Sequence, residues 1–263
     1  MDNFINENDY ELLKNDEYTF FVLSKIMGGE CEFIASDHKK IIICRSCPPY
    51  PLWIWTADDI TNDELENAYL IAKEKGFIGS NMSINMKYNA AEFFINRAAK
   101  DGISLSLKLN MFAYDCSEPI KPSEKADGCL YQCQNADTDE LVHFLKMFHD
   151  TVGIDQKNCC EYITDAKELI KSEKMFFWKN PEGKNVASCK YEPNGKLASI
   201  NLVFTLPEYR RMHYAENLVY TVTKLAIENG YIPMLYTNAD YIASNACYEK
   251  IGYVLRGKLC TIG

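Results

Sequence analysis

Arg210 and Arg211 stand side by side between an extended apolar run and a long helical pattern. The run is Ile200 to Phe204, Pro207 breaks it, and the pattern that follows predicts a helix from Tyr214 to Asn229. Strand, basic turn and helix start, in that order, make an anion site. The first N–H groups of a helix lack intrahelical acceptors, and the positive end of the helix dipole faces the same turn. A phosphate-bearing ligand is the natural occupant. A surface strand–helix unit with solvated arginines has the same pattern, so the turn alone leaves both readings open. Farther along, Asn245 and Tyr248 stand three apart in a short helical pattern that Gly252 ends, which puts them on one face. Taken alone, Tyr248 reads there as a packed helix aromatic.

Other reactive residue types form no such constellation. Cys44 and Cys47 have zinc-knuckle spacing, but no second pair follows, and His38, His143, His149 and His213 form no cluster. No metal site is expected. The 11 cysteines are scattered over the whole length, unlike a disulfide framework.

The remaining chain must position these groups. Its 263 residues suffice for one large or two ordinary domains, and 47% hydrophobic with 25% charged residues is a globular balance. A net charge of −9 argues against general nucleic-acid binding. No apolar run approaches the roughly 20 residues of a membrane span, and the acidic, polar start is unlike a signal peptide, so a cytoplasmic protein without membrane or nucleic-acid partners is expected. The acidity is uneven. Residues 1–125 carry 13 basic against 20 acidic residues, and residues 126–263 carry 15 against 17.

Residues 1–125 read as a helix over Tyr10–Lys25, strands at Lys40–Arg45 and Leu52–Thr56, a helix capped at Thr61 or Asn62 and ended by Gly76, a helix over Asn89–Lys100, and a strand over Ile103–Tyr114. Pro119, Pro122 and polar neighbours up to Gly128 mark the best linker, placing a boundary near residue 126. Residues 126–263 read as a strand, helices from Asp137 or Thr138 and over Asp165–Ser172, three strands joined by Pro-Glu-Gly183 and Pro-Asn-Gly195 turns, the long helix, a strand at Met234–Thr237, a short helix capped by Ser244, and a closing strand at Tyr253–Arg256. This is an α+β arrangement with a mixed, largely antiparallel sheet flanked by helices.

The halves echo each other. Trp53-Ile54-Trp55-Thr56 answers Leu202-Val203-Phe204-Thr205, the helix ends at Gly76 and Gly230 correspond, and Asn89-Ala90-Ala91-Glu92 answers Asn245-Ala246-Cys247-Tyr248. Where the second copy has Arg210 and Arg211, the first has Asp58 and Asp59, which would repel a pyrophosphate.

Val203-Phe-Thr-Leu-Pro-Glu-Tyr-Arg-Arg-Met-His-Tyr-Ala215 resembles the acyl-CoA-binding motif of the GNAT superfamily of N-acetyltransferases, and Asn245-Ala-Cys-Tyr248-Glu-Lys-Ile-Gly252-Tyr253 resembles that family's second segment. The resemblance spans roughly residues 127–257 and implies a GNAT-like catalytic domain at 126–263. By likeness to two-domain bacterial members, it also implies a smaller, degenerate GNAT-like α/β domain at 1–125. It implies acetyl-CoA as co-substrate, a small-molecule or peptide amine as acceptor, direct transfer in a ternary complex, and a monomer or homodimer. The backbone of Val203, Phe204 and Thr205 would pair with the pantetheine arm. The N–H groups of Arg210, Arg211, Met212, His213, Tyr214 and Ala215 would hold the pyrophosphate, Asn245 would touch the arm, and Tyr248 would protonate the leaving thiolate. His213 stands where the family has glycine, and the strand before Pro207 offers no carboxylate base. Glu192, Glu161 and His149 are the candidates, with Trp53, Trp55 or Tyr131 as aromatic walls for the acceptor. A non-catalytic CoA-binding or interaction module is the alternative.

Overall fold

The computed structural model of the chain describes residues 1–80, 82–153 and 156–263. Two compact units form: Met1–Tyr114 with Tyr236–Tyr241 and Leu255–Gly263, and Asp115–Leu235 with Ile242–Val254.

The first unit opens with α1 (Glu7–Leu12) and α2 (Phe21–Met27). The single helix expected over Tyr10–Lys25 is broken, because Asp16 is drawn into tertiary bonds. Its carboxylate accepts from Trp55 Nε1 at 2.8 Å and pairs with Lys87 Nζ at 2.7 Å. Then follow β1 (Phe33–Ser36), β2 (Ile41–Arg45), β3 (Leu52–Thr56), α3 (Asn62–Glu74), β4 (Ile84–Met86), α4 (Tyr88–Lys100) and β5 (Leu107–Asp115). β1–β2 and β2–β3 pair antiparallel and β3–β4 parallel. Every residue of β3 is buried. One face, through Leu52 and Ile54, packs on Tyr69 and Phe94 of α3 and α4; the other, through Trp53 and Trp55, packs on Phe20 and Leu23. Trp53 and Trp55 are core residues and cannot wall an open acceptor site.

The second unit contains β6 (Cys129–Gln132), α5 (Thr138–Val152), α6 (Cys159–Lys171), β7 (Met175–Lys179), β8 (Asn185–Asn194), β9 (Leu197–Thr205), α7 (Tyr214–Glu228), the first part of β10 (Ile232–Asn238) and α8 (Ile242–Ile251). Its strands run in the order β10-β9-β8-β7-β6, antiparallel except for β9–β10. α6 starts well before the expected Asp165, because Asn158 and Glu161 form a capping box. α8 also starts early, so Ser244 lies inside it rather than capping it.

The final strand β11 (Val254–Ile262) differs most from expectation. Beyond Val254 it belongs to the first unit, pairing antiparallel with β4 from Cys260↔Met86 to Ile262↔Ile84. Local sequence cannot announce such an exchange, since apolar Leu259, Cys260 and Ile262 would serve any sheet centre.

The expected linker is tied down within the second unit. Cys116 N–H donates to Pro233 O at 2.9 Å and Ile120 N–H to Ile251 O at 2.7 Å. Asn217 Nδ2 donates to Glu124 O at 2.9 Å and Trp178 Nε1 to Asp127 O at 2.7 Å. Two glycines permit the close passage: a Cβ on Gly128 would lie 1.9 Å from Lys179 O, and one on Gly252 would lie 2.8 Å from Glu118 O. Prolines keep this strap out of a ladder, so other elements satisfy its backbone.

Candidate acyl-transfer site

β9 and β8 keep a regular antiparallel register up to Lys190↔Asn201, then resume one residue out of step at Ser188↔Phe204. The extra residue is a bulge at Leu202–Val203, opposite Cys189, and Leu202 takes a left-handed φ of 52°. On its other edge β9 pairs with β10 only from Leu197↔Ile232 to Ser199↔Met234. Past Ser199 the parallel strands part, and that edge of β9 has no strand partner among the described residues. Asn201 is exposed and Leu202, Val203 and Thr205 are half-buried, while Phe204 turns inward onto Phe144 of α5. The Thr205 hydroxyl is buried and has no partner among the described residues.

A single 3-10 turn at Pro207–Tyr209 follows. Arg210 folds back on it, with Nε donating to Thr205 O at 3.2 Å and the guanidinium 5.8 Å from the Phe204 ring centre. The Arg210 N–H already bonds to Pro207 O at 3.4 Å, which separates it from the other N–H groups of the motif. Arg211 and Met212 are exposed. Arg211 and His213 both take left-handed φ, 63° and 60°. The position where the family has glycine is therefore one whose backbone favours glycine, and a non-glycine residue is held there at a cost of about 1 kcal/mol or more.

His213 is the residue before α7 and contributes no side-chain cap, so the helix start stays open. The first N–H taken is that of Asn217, by the His213 carbonyl at 3.1 Å. The imidazole lies between carboxylates, Nε2 3.1 Å from Glu124 and Nδ1 3.3 Å from Glu216. Tyr214 is buried and Ala215 half-buried.

α8 turns Asn245, Tyr248 and Ile251 inward at a three-residue spacing. Asn245 is 6% exposed and Tyr248 9%. The Tyr248 ring meets Tyr253 edge-on at 5.9 Å, and Tyr253 shares a 2.6 Å hydrogen bond with Thr223 of α7. Burial pushes the Tyr248 phenol above its ordinary pKa, with Cys189 and Cys247 adding to the effect. It stays protonated at neutral pH. No hydrogen bond occupies it among the described residues, so its proton is available. Burial likewise keeps Cys189 a thiol.

The three base candidates separate. Glu161 is occupied in the α6 capping box, taking the Asn158 N–H at 2.8 Å, and His149 Nδ1 lies 3.0 Å from the Tyr162 hydroxyl. Glu192 differs from both. It faces Ser199 across β8–β9, Lys190 faces Asn201, and register partners share a sheet face. Lys190 Nζ lies 2.8 Å from Glu192, and Asn201 Nδ2 donates to Ser199 Oγ at 2.9 Å. This polar patch adjoins the unpaired edge of β9. Strand alternation alone could have shown that Glu192 and Lys190 share a face, but their cross-strand partners depend on the register. Among the described residues, no group of three His, Cys, Asp or Glu side chains could hold a metal ion.

An unpaired strand edge, a buried free hydroxyl and an open helix mouth fit a ligand with an extended amide-bearing arm ending in an anion. Comparisons with known proteins bear on which family builds such a site. Residues 139–253 match the model of the acetyltransferase (GNAT) family. No curated protein matches the chain. Among solved structures, a GNAT-family acetyltransferase from Colwellia psychrerythraea is similar at 14% identity and TM-score 0.61, covering 99% of this chain and 97% of that one. A GCN5-related N-acetyltransferase from Sphaerobacter thermophilus is similar at 9% identity and TM-score 0.68, covering 97% and 90%. One from Kribbella flavida is similar at 13% identity and TM-score 0.61, covering 95% and 94%. The fold is thus shared over both units, and the family segment contains the bulge, the basic loop, Asn245 and Tyr248. Residues 139–253 thus match the acetyltransferase (GNAT) family model, and the solved structures share the fold over both units.

Proposed function

We propose that the protein transfers an acetyl group from acetyl-CoA to a primary amine, in a direct step between two bound substrates. The observation that carries this reading is the parting of β9 from β10 beside a bulge, directly ahead of an uncapped helix. Acetyl-CoA, when bound, supplies a thioester, an acetyl group activated toward amines. The chain's own groups do the rest. The edge of Val203, Phe204 and Thr205 offers main-chain donors and acceptors to an added strand. Arg211, Met212, His213, Tyr214 and Ala215 present N–H groups and the helix dipole to a pyrophosphate, and Arg210 adds charge. Asn245 orients the arm from the inward face of α8. Tyr248 holds the proton that a departing sulfur requires. Glu192, on the face that bears Asn201, takes the role of the carboxylate facing the acceptor amine. Cys189 stays protonated, which favours direct transfer over an acyl-cysteine.

We also read the first unit as a degenerate copy of the second. Its β3 pairs antiparallel with β2 and parallel with β4 over two residues before entering α3, the connectivity of β9 with β8, β10 and α7.

Calorimetric titration with acetyl-CoA and CoA, followed by thiol detection across a panel of amines, tests the reading. Binding together with amine-dependent thiol release is expected. Binding without release from any amine would favour a non-catalytic CoA-binding module, and no binding at millimolar concentration would end the cofactor reading.

A further inference from the structure

His213 replaces a glycine at a left-handed position, and its ring is held by a residue of the strap. Glu124 Oε2 lies 3.1 Å from Nε2, while Glu216 Oε2 faces Nδ1 at 3.3 Å. The two carboxylates differ. The Glu216 side chain is 13% exposed in the first turn of α7, where the helix dipole favours a negative group. The Glu124 side chain is 69% exposed and stands on no helix. What places it is the backbone. Buried Asn217 donates one Nδ2 to both Glu124 O, at 2.9 Å, and His213 O, at 3.0 Å, coupling the strap to the helix mouth. A carboxylate is thereby parked beside the proposed anion loop, on the imidazole that stands where the family pattern has glycine.

We propose that Glu124 is an internal stand-in for the cofactor's phosphate: His213 exchanges the Glu124 carboxylate for the pyrophosphate on binding. This rests on the cofactor reading above and assigns His213 a positive role in it. The Glu124 side chain is free to leave because only its backbone is tied, and a pyrophosphate, which carries a charge on each phosphate and is drawn by the helix dipole as well, is the stronger acceptor for the imidazole N–H. Arg211 and Met212, beside His213, are exposed.

The test is a double-mutant cycle read by calorimetry, with CoA and, separately, pantetheine, which has the thiol arm and no phosphate. Glu124→Gln keeps the size and the backbone bonds. It should tighten CoA binding about twofold to fivefold, the range that losing an exposed ion pair supports, and leave pantetheine unchanged. His213→Asn retains a residue that tolerates the left-handed backbone and removes the imidazole. It should weaken CoA binding, and in that background Glu124→Gln should have no effect. The inference is overturned if Glu124→Gln leaves CoA affinity unchanged or lowers it. Equal tightening with His213 and with Asn at 213 also overturns it, because Glu124 would then act as general repulsion. CoA binding by neither wild type nor variant would remove the cofactor reading itself. Normal CoA binding with no coupling would remove only the exchange.

Discussion

β3–α3 and β9–α7 share a connection, a strand paired on both sides that leads through a short turn into a long helix, and they close it in opposite ways. In the first, the β2–β3 register runs unbroken from Cys44↔Trp53 to Ile41↔Thr56 and all of β3 is buried. Thr61 and Glu64 form a capping box, so the N–H groups of Thr61 and Glu64 at the α3 start are satisfied from within. The turn's carboxylates are used internally as well: Asp58 pairs with Lys87 at 2.7 Å and Asp59 with Lys40 at 3.1 Å. In the second, the register slips at Leu202, the strand edge is half exposed and α7 has no side-chain cap. The contrast extends to the later helix. Asn89 and Glu92 of α4 are exposed, where Asn245 and Tyr248 of α8 are buried. A strand–turn–helix becomes a binding site by leaving its own donors unsatisfied, and becomes scaffold by satisfying them.

The largest effect should come from Tyr248→Phe. Turnover should fall about a hundredfold with cofactor affinity unchanged, by steady-state kinetics beside calorimetry. Because burial raises this phenol's pKa, the alkaline limb of the rate profile should not reflect Tyr248 below about pH 10. Unchanged turnover in the variant would make Tyr248 a packing residue. Converting the second turn to the first copy's chemistry, Arg210→Asp with Arg211→Asp, should weaken CoA binding about thirtyfold while the melting temperature stays near wild type. Equal affinity would show that the arginines are solvated surface.

The first unit answers to different changes. Asp101 joins Lys73 at 2.6 Å, Tyr69 at 2.9 Å and Arg97, and the Lys73 and Arg97 bonds hold its carboxyl below the usual carboxylate range. A depressed folded pKa means stability that is present above the ordinary carboxylate value and lost as pH falls below it. Asp101→Asn should lower the melting temperature at neutral pH and flatten its further loss below about pH 4, by calorimetric scans. Thr61→Ala should cost about 1 kcal/mol by urea unfolding, for the lost cap on α3. His213→Gly should be the smallest: relief of the left-handed backbone offsets the lost contacts, leaving net stability within about 1 kcal/mol. A larger loss would mean that the uncapped helix start depends on the imidazole.

The elements around the candidate site were legible in the residues because their signals are local. Pro207 and the arginines end a strand and precede a helix within a few positions, and Asn245 and Tyr248 share a face by helical spacing alone. The β3 bounds and the Thr61 cap follow from the same short-range rules. Asp16 marks where those rules fail. Its pull toward Trp55 and Lys87 breaks a helix that its neighbours would allow. Glu192 is a surface carboxylate in the sequence and gains a place beside the β9 edge only through its register with Ser199.

The chain's amino acids by themselves determined the motif order, the basic turn and the helix that carries Asn245 and Tyr248, since each depends on neighbours a few residues apart. Only the tertiary structure decided the bulge at Leu202, the parting of β9 from β10, the left-handed backbone at His213, the seating of the strap through Asn217 and Trp178, and the return of β11 to the first unit. These are hydrogen-bond registers and packings between residues far apart in the chain, and their energies have no local signature.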